Sequence, residues 1–252
     1  INAFAIVMVL GCGIAILVMA VGMRGSLERT RQDYYASHHM ADLAVSLVRA
    51  PSGAARILQR LPGVLAIETR ISGLALLDLA NVVEPASARL ISLPTGGRPV
   101  VNDLAIARGR WPDPSRPEEV LVNEAFAEAN AFGPGDVLNA TLHGKRQTLT
   151  IAGIVNSPEF VYATPPGDIF PQQDRFAVIW MSRGALARAY NLEGAFNDVV
   201  LRIQNGADVG ATRVSVDDVL AGFGGAGAYG RDRMPSDRFL AEELGQIGRA
   251  HV

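Results

Sequence analysis

The chain opens with INAFAIVMVLGCGIAILVMAVGM, Ile1 to Met23, a run without Asp, Glu, Lys, Arg or His. As a helix rising ~1.5 Å per residue it spans ~34 Å, enough to cross a hydrocarbon layer of ~30 Å. Lipid offers no partner to backbone N–H and C=O groups, so such a segment has to be helical. Gly11, Gly13 and Gly22 would weaken a soluble helix, whereas membrane helices tolerate glycine and use it for close packing. Residues 1–23 are therefore expected to form a transmembrane helix. A secretory signal has a shorter apolar region, about 7–15 residues, behind a basic lead. A lipoprotein signal would turn polar after Cys12 of Val9-Leu10-Gly11-Cys12, but Gly13 to Met23 stays apolar. Cys12 is the only cysteine, which excludes intrachain disulfides and a cysteine-cluster metal site.

All formal charge lies beyond Met23, where 23 Lys and Arg face 25 Asp and Glu for a net charge of −2. That balance, with no basic cluster interleaved with aromatics, gives no reason to expect a nucleic acid partner. The 26 Gly and 14 Pro fall between short apolar runs, the pattern of many short elements joined by turns. Residues 24–40 read as an amphipathic stalk. Arg24, Glu28, Arg29, Arg31 and Asp33 alternate with Leu27, and Tyr34-Tyr35 stand where an interfacial belt or a stalk-to-body contact would sit.

From Ala41 the periodicity predicts strand, helix, strand. Leu43, Val45 and Leu47 alternate, Ser52 is an N-cap candidate for a helix through Leu61, and Val64–Ile71 and Leu74–Val83 are strands split at Ser72-Gly73. Ala88–Leu93 is a further strand. Glu119–Val122 is a short strand, Asn123 a cap for a helix over 124–131, and His143-Gly144-Lys145 the turn of a hairpin. Phe176–Met181, a helix over Arg183–Tyr190, Asp198–Ile203 and a helix over Val209–Leu220 restore the first rhythm. The expected class is α+β: a split βαβ (ferredoxin-like) domain over 41–99 and 176–221, with a mostly-β subdomain inserted at 100–175. Residues 222–246 read as a hinge and a lead-in to a second membrane helix, with Ser236 capping an amphipathic segment. Ile247–Val252 translates a string resembling a sequencing adapter and is expected to carry no structure.

Motifs for chemistry are sparse. Gly222-x-Gly224-x-x-Gly227 matches a dinucleotide fingerprint as a string but follows a helix rather than a strand. It reads better as a hinge, with Gly222, Gly224, Gly225, Gly227 and Gly230 as candidates. No phosphate loop, G-x-S-x-G elbow or H-E-x-x-H helix occurs. His38-His39 diverge as neighbours on any regular element, and Glu118-Glu119, Asp217-Asp218 and Glu242-Glu243 read as solvated acids. Trp111 beside Pro112 reads as a packing anchor. Within Ser157–Tyr162 the apolar Phe160, Val161 and Tyr162 are partner-contact candidates. No catalytic, cofactor or metal residue is assigned.

Several blocks together carry a resemblance. Arg108-Gly109-Arg110-Trp111-Pro112, Glu119 to Ala127, Gly133 to Asp136 and the strand into Ala152-Gly153-Ile154-Val155 resemble the periplasmic region of FtsX-like, MacB-type ABC transporter permeases. Tyr229-Gly230-Arg231-Asp232 followed by Phe239 to Leu244 is similar to that family's approach to its second membrane helix. The resemblance implies a bacterial inner-membrane permease with four membrane helices and a large extracytoplasmic domain between the first two. It further implies a dimer of permease copies, a separate ATPase subunit, and a periplasmic partner or lipoprotein. A single-span membrane-anchored sensor or binding module is the alternative reading, and an anchored hydrolase a weaker third.

Overall fold

The computed structural model describes residues 29–79, 86–165 and 172–234, with Met8, Gly11, Val18, Met19, Gly22 and Ser26 placed singly as helical. Among the described residues no helix is long and apolar enough to cross a membrane. The expected membrane helix lies mostly outside them, as do the Ser236 cap and residues 247–252. A helix, α1 (29–37), leads into a mixed α+β body with two sheets.

The first sheet is built by strands whose apolar residues alternate. β1 (Leu43–Pro51), β2 (Val64–Arg70), β10 (Ala195–Ile203) and the two-residue β11 (Tyr229–Gly230) stand in the order β11-β1-β10-β2. β10 runs antiparallel to both β1 and β2, so those two are parallel and their connection carries α2 (Ala54–Gln59). β11 is antiparallel to β1, and α5 (Val209–Ala221) joins β10 to it. Asp208 starts α5, its Oδ1 accepting from Gly210 N at 2.8 Å and Ala211 N at 3.1 Å. α2 has no such side-chain cap: Gly53, not Ser52, holds the N-cap position. One face of the sheet buries Leu43, Val45, Val199 and Leu201 against Leu58, Val216 and Leu220 of the two helices. The other presents Ala44 and Val200 to Tyr35, Met40, Val101 and Met234.

The second sheet has seven strands. They are β3 (Ser72–Asp78), β4 (Ala86–Leu93), β5 (Ala105–Gly109), β6 (Glu119–Asn123), β7 (Val137–Leu142), β8 (Lys145–Asn156) and β9 (Phe176–Ser182). Their order is β5-β8-β6-β9-β4-β3-β7, with β7 also paired to β8. Thr150 N donates to Glu118 O and the next amide, Ile151 N, to Asp136 O, both at 2.9 Å. Successive N–H groups of a strand point to opposite sides, so β8 has β6 on one flank and β7 on the other. Six strands thus close into a small barrel, with β5 along the second half of β8. All six contribute to one core, among them Leu77, Leu90, Val122, Leu138, Ile151 and Ile179, and side chains fill the lumen. Phe126 of α3 (Glu124–Ala129) and Leu186 of α4 (Arg183–Tyr190) join that core.

The run Phe176-Ala177-Val178-Ile179-Trp180-Met181 is buried throughout. Ala177, Ile179 and Met181 face the lumen, while Phe176, Val178 and Trp180 face an outer layer with Leu104 and Phe160. A strand covered on both faces has no polar side to show. β3, β4 and β9, read from sequence with the split α/β unit, pair in the barrel with β5 to β8. The reason lies at Ile71, the one residue between β2 and β3, where the chain passes between sheets without a turn signal. Ser72-Gly73 is accordingly no turn but the start of β3. A Cβ on Gly73 would stand 2.4 Å from the Tyr190 ring, whose hydroxyl donates to Leu74 O at 2.6 Å.

Candidate functional site

The site built from the most distant parts of the sequence is the junction where α1, both sheets and the returning chain meet. α1 ends in a turn at His39, which has φ +53, and Met40 N donates to Tyr35 O at 2.9 Å. The carbonyls that follow are met by the loop after β4: Asn102 N donates to His39 O at 2.9 Å and Asp103 N to His38 O at 2.8 Å. Tyr35 and Met40 are buried there. Tyr34 and His38 lie ring to ring at 4.4 Å, while His39, in the turn, keeps its side chain exposed.

Asn102 also has φ +56, a conformation asparagine tolerates better than most residues. Its Oδ1 accepts from Ala41 N at 2.7 Å, and its Nδ2 donates to Glu159 Oε2 at 2.6 Å. Glu159 in turn takes both guanidinium ends of Arg70, at 2.5 and 3.0 Å, and Arg70 Nε donates to Asp198 Oδ1 at 2.7 Å. Arg70, Glu159 and Asp198 are each buried. Glu159 follows β8, Arg70 ends β2 and Asp198 sits on β10. One buried ionic chain therefore ties the stalk turn to both sheets.

The electrostatics of this chain are those of paired buried charges. Burial acts to raise the Glu159 carboxyl, and the Arg70 charge and hydrogen bonds outweigh it, leaving its pKa below the usual range. Asp198 moves the other way, raised by burial, opposed by Arg70 and pushed further up by Glu159. Burial disfavours the Arg70 cation, but Asp198 and Glu159 more than compensate and its pKa is raised. Burial, reinforced by the negative Asp198 and Glu159, lifts the nearby Tyr229 hydroxyl to about 12.

Two further ties cross the sheet boundary. Ser72 and Asn197 exchange hydrogen bonds, N to Oδ1 and Nδ2 to O, each 2.8 Å. The Arg183 guanidinium donates to Thr69 O. The returning chain closes the junction. Arg231 Nε donates to Ala41 O at 2.9 Å, its Nη2 to Met40 O at 3.0 Å, and the same Nη2 lies 2.9 Å from Asp42 Oδ1. Where the chain enters the body and where it leaves are thus clasped side by side.

The residues singled out from sequence fare unevenly. Phe160 is 7% exposed and packs edge-on to Trp180, with centroids 6.1 Å apart, so its side chain belongs to the interior. Its loop is pulled inward by Glu159, the residue before it. Val161 stays 38% exposed and Tyr162 half-buried, so only these two present surface. In the glycine segment, Ala226 N donates to Ser46 O at 2.9 Å, Gly224 O accepts from Val48 N at 3.2 Å, and Gly230 stands in β11. Asn123 occupies the N-cap of α3 but spends its side chain elsewhere, Oδ1 accepting from Val178 N at 2.8 Å. Glu119, read as a solvated acid, is 4% exposed and takes two bonds from Arg110 at 2.7 Å.

The ionic chain itself was missed by the sequence reading. Its only trace is an acid, Asp198, inside the apolar strand pattern of β10, and another, Glu159, inside an apolar loop. Among the described residues no group of three or more His, Cys, Asp or Glu is arranged to hold a metal ion. The junction ties chain segments together, and among its described residues no nucleophile is paired with a base.

No family model matches the chain, and no curated protein matches it. Among solved structures it is similar to the extracellular domain of the noncanonic ABC-type transporter YknZ from Gram-positive bacteria. That match has 12% identity and TM-score 0.46, covering 71% of this chain and 92% of that one. It is also similar to the periplasmic region of MacB from Actinobacillus actinomycetemcomitans, at 8% identity and TM-score 0.48, covering 86% of this chain and 98% of that one.

Proposed function

We propose that the chain is the permease subunit of an ABC transport system, held in the bacterial inner membrane with its body on the extracytoplasmic side. The observation that carries this reading is the clasp of Arg231 on Met40, Ala41 and Asp42. It holds the segment behind the uncharged run 1–23 beside the segment leading toward Phe239–Leu244, the geometry required of a domain carried between two membrane helices. The order of sequence blocks from Arg108 to Val155 supports the same family.

In this reading residues 1–23 cross the membrane and α1 is the stalk. A separate ATPase moves the helices, and a second permease copy completes a dimer. The four-stranded sheet is a ferredoxin-like unit, supported by parallel β1 and β2 flanking β10. Motion reaches the body through the Asn102–Glu159–Arg70–Asp198 chain, and displacing it shifts an equilibrium only if the two states differ in these contacts. Gly222, Gly224, Gly225, Gly227 and Gly230 are the hinge, with Gly224 and Gly227 at φ +70 and +91 as pivots. Val161 and Tyr162 are the surface part of the partner loop.

The test has two arms. With Cys12 replaced by Ser, a cysteine at Lys145 on the β7–β8 turn is labelled by a membrane-impermeant maleimide in intact spheroplasts. Labelling only after lysis rejects the orientation. The full chain purified in detergent brings down an ATP-hydrolysing subunit; recovery without one favours the anchored sensor.

A further inference from the structure

Residues two apart on a strand point to the same face, and Glu68 and Arg70 stand so on β2, opposite Val200 and Asp198 of β10. A narrow space of about 10 Å³ is bounded by both of them and by Glu159. Arg70 is fully engaged there: Glu159 takes its two terminal nitrogens at 2.5 and 3.0 Å, and Asp198 its Nε at 2.7 Å. Glu68 is not. Half-buried, it takes one hydrogen bond among the described residues, from Val100 N at 3.1 Å. Burial pushes its carboxyl above the ordinary value against that bond and the charges of Arg70 and Arg183, so its ionised form is the less well stabilised one.

The groups that hold Glu68 and Glu159 in place come from the barrel side. Val100 and Asn102 lie in the loop joining β4 to β5, and Glu159 in the loop after β8, bonded to Asn102. The first loop also meets the stalk turn. Ala41 N donates to Asn102 Oδ1, Asn102 N to His39 O and Asp103 N to His38 O. Lifting the two loops together strips Val100 N from Glu68 and Glu159 from Arg70 in one step. The acid and the cation left behind are neighbours on one strand face, and Asp198 keeps its place beside Arg70.

We propose that Glu68 is a second seat for the Arg70 guanidinium, making the junction a partner-exchange switch, closed on Glu159 and open on Glu68. Opening without a second seat leaves a buried cation short of one carboxylate, which is costly; with it, Arg70 faces two acids in either state. Val101, buried with Tyr35 and Met40, keeps the closed form the populated one. Two other cations act on these acids. Arg183 is within electrostatic reach of Glu68 but is bound to Thr69 O, and Arg89 acts on Glu159 and Asp198. The switch is an equilibrium within the body and does not depend on the permease reading.

The test is amide hydrogen exchange of the full chain in detergent micelles near neutral pH, where exchange tracks the open population. Glu68→Gln keeps an acceptor for Val100 N and removes the charge that receives Arg70. The Ala41, Asn102 and Asp103 amides should then exchange about tenfold more slowly, the scale of one charge-assisted contact, with Val199 and Leu201 in β10 unchanged. Glu159→Gln should speed the same three amides, and adding Glu68→Gln should reverse that gain. Unchanged or faster exchange in Glu68→Gln, or equal slowing in β10, overturns the switch. So does a double variant as fast as Glu159→Gln alone. The same slowing in Arg183→Gln would make Arg183 the open-state partner of Glu68 and equally overturn the assignment to Arg70.

Discussion

Arg231 holds Asp42 at 2.9 Å and the carbonyls of Met40 and Ala41 at 3.0 and 2.9 Å, joining residues 190 positions apart in the last of these contacts. Both charged side chains are partly exposed, so solvent screens the ion pair and the carbonyl bonds matter as much as the charge. Arg231→Ala is expected to cost about 1–2 kcal/mol in urea unfolding. Amide exchange should rise at β1 and β11 before it rises elsewhere. Uniform acceleration across both sheets would argue against a local clasp.

Arg70→Ala leaves Glu159 and Asp198 buried without their cation, and about 3–5 kcal/mol of stability should be lost. Adding Glu159→Gln and Asp198→Asn to Arg70→Met removes the stranded charges and should recover part of that loss. Equilibrium unfolding of the single and triple variants checks the order. A triple variant less stable than Arg70→Ala would mean the network contributes more than paired charge.

Glu119 is held at about 2 rather than the ordinary 4.5, first by hydrogen bonds from Arg110 and then by Asp113 N. The folded state binds this proton less readily than the unfolded chain. Its contribution is therefore complete above about 4.5 and disappears as pH falls through about 2. Comparing urea midpoints of the native chain and Glu119→Gln across that window should show the two curves converging toward acid.

Gly109 combines φ +83 with an absent Cβ that would stand 2.4 Å from Ala152 O and 2.9 Å from Gly153 Cα. Gly109→Ala therefore meets backbone as well as strain and should lose more than about 2 kcal/mol. Gly135, at φ +97 with nothing within 4 Å, isolates the conformational part, and Gly135→Ala should cost about 1 kcal/mol. Thermal unfolding of the pair separates strain from collision.

Phe160→Ala removes a ring stacked edge-on to Trp180 and should cost about 3–5 kcal/mol, with no effect specific to a partner. Val161→Ala, on the surface, should change stability by less than about 0.5 kcal/mol. If Val161→Ala and Tyr162→Ala leave transport intact while the protein remains folded, the loop is not a contact surface.

The sequence by itself determined many of the local elements, though not the Ser72-Gly73 passage or β5. Alternation marked β1 and β10, the bounds of α4 follow from its sequence, and His143-Gly144, both at positive φ, mark the β7–β8 turn. These signals are written within a few residues of where they act. Tertiary structure alone decided that the chain crosses between sheets at Ile71, that six strands close into a barrel, and that Phe160 turns inward. It also decided that Arg70, Glu159 and Asp198 are one buried group. A period of two says which face a strand buries but not which strand lies beside it. A charged side chain, likewise, is read as solvated until a partner far along the chain is folded against it.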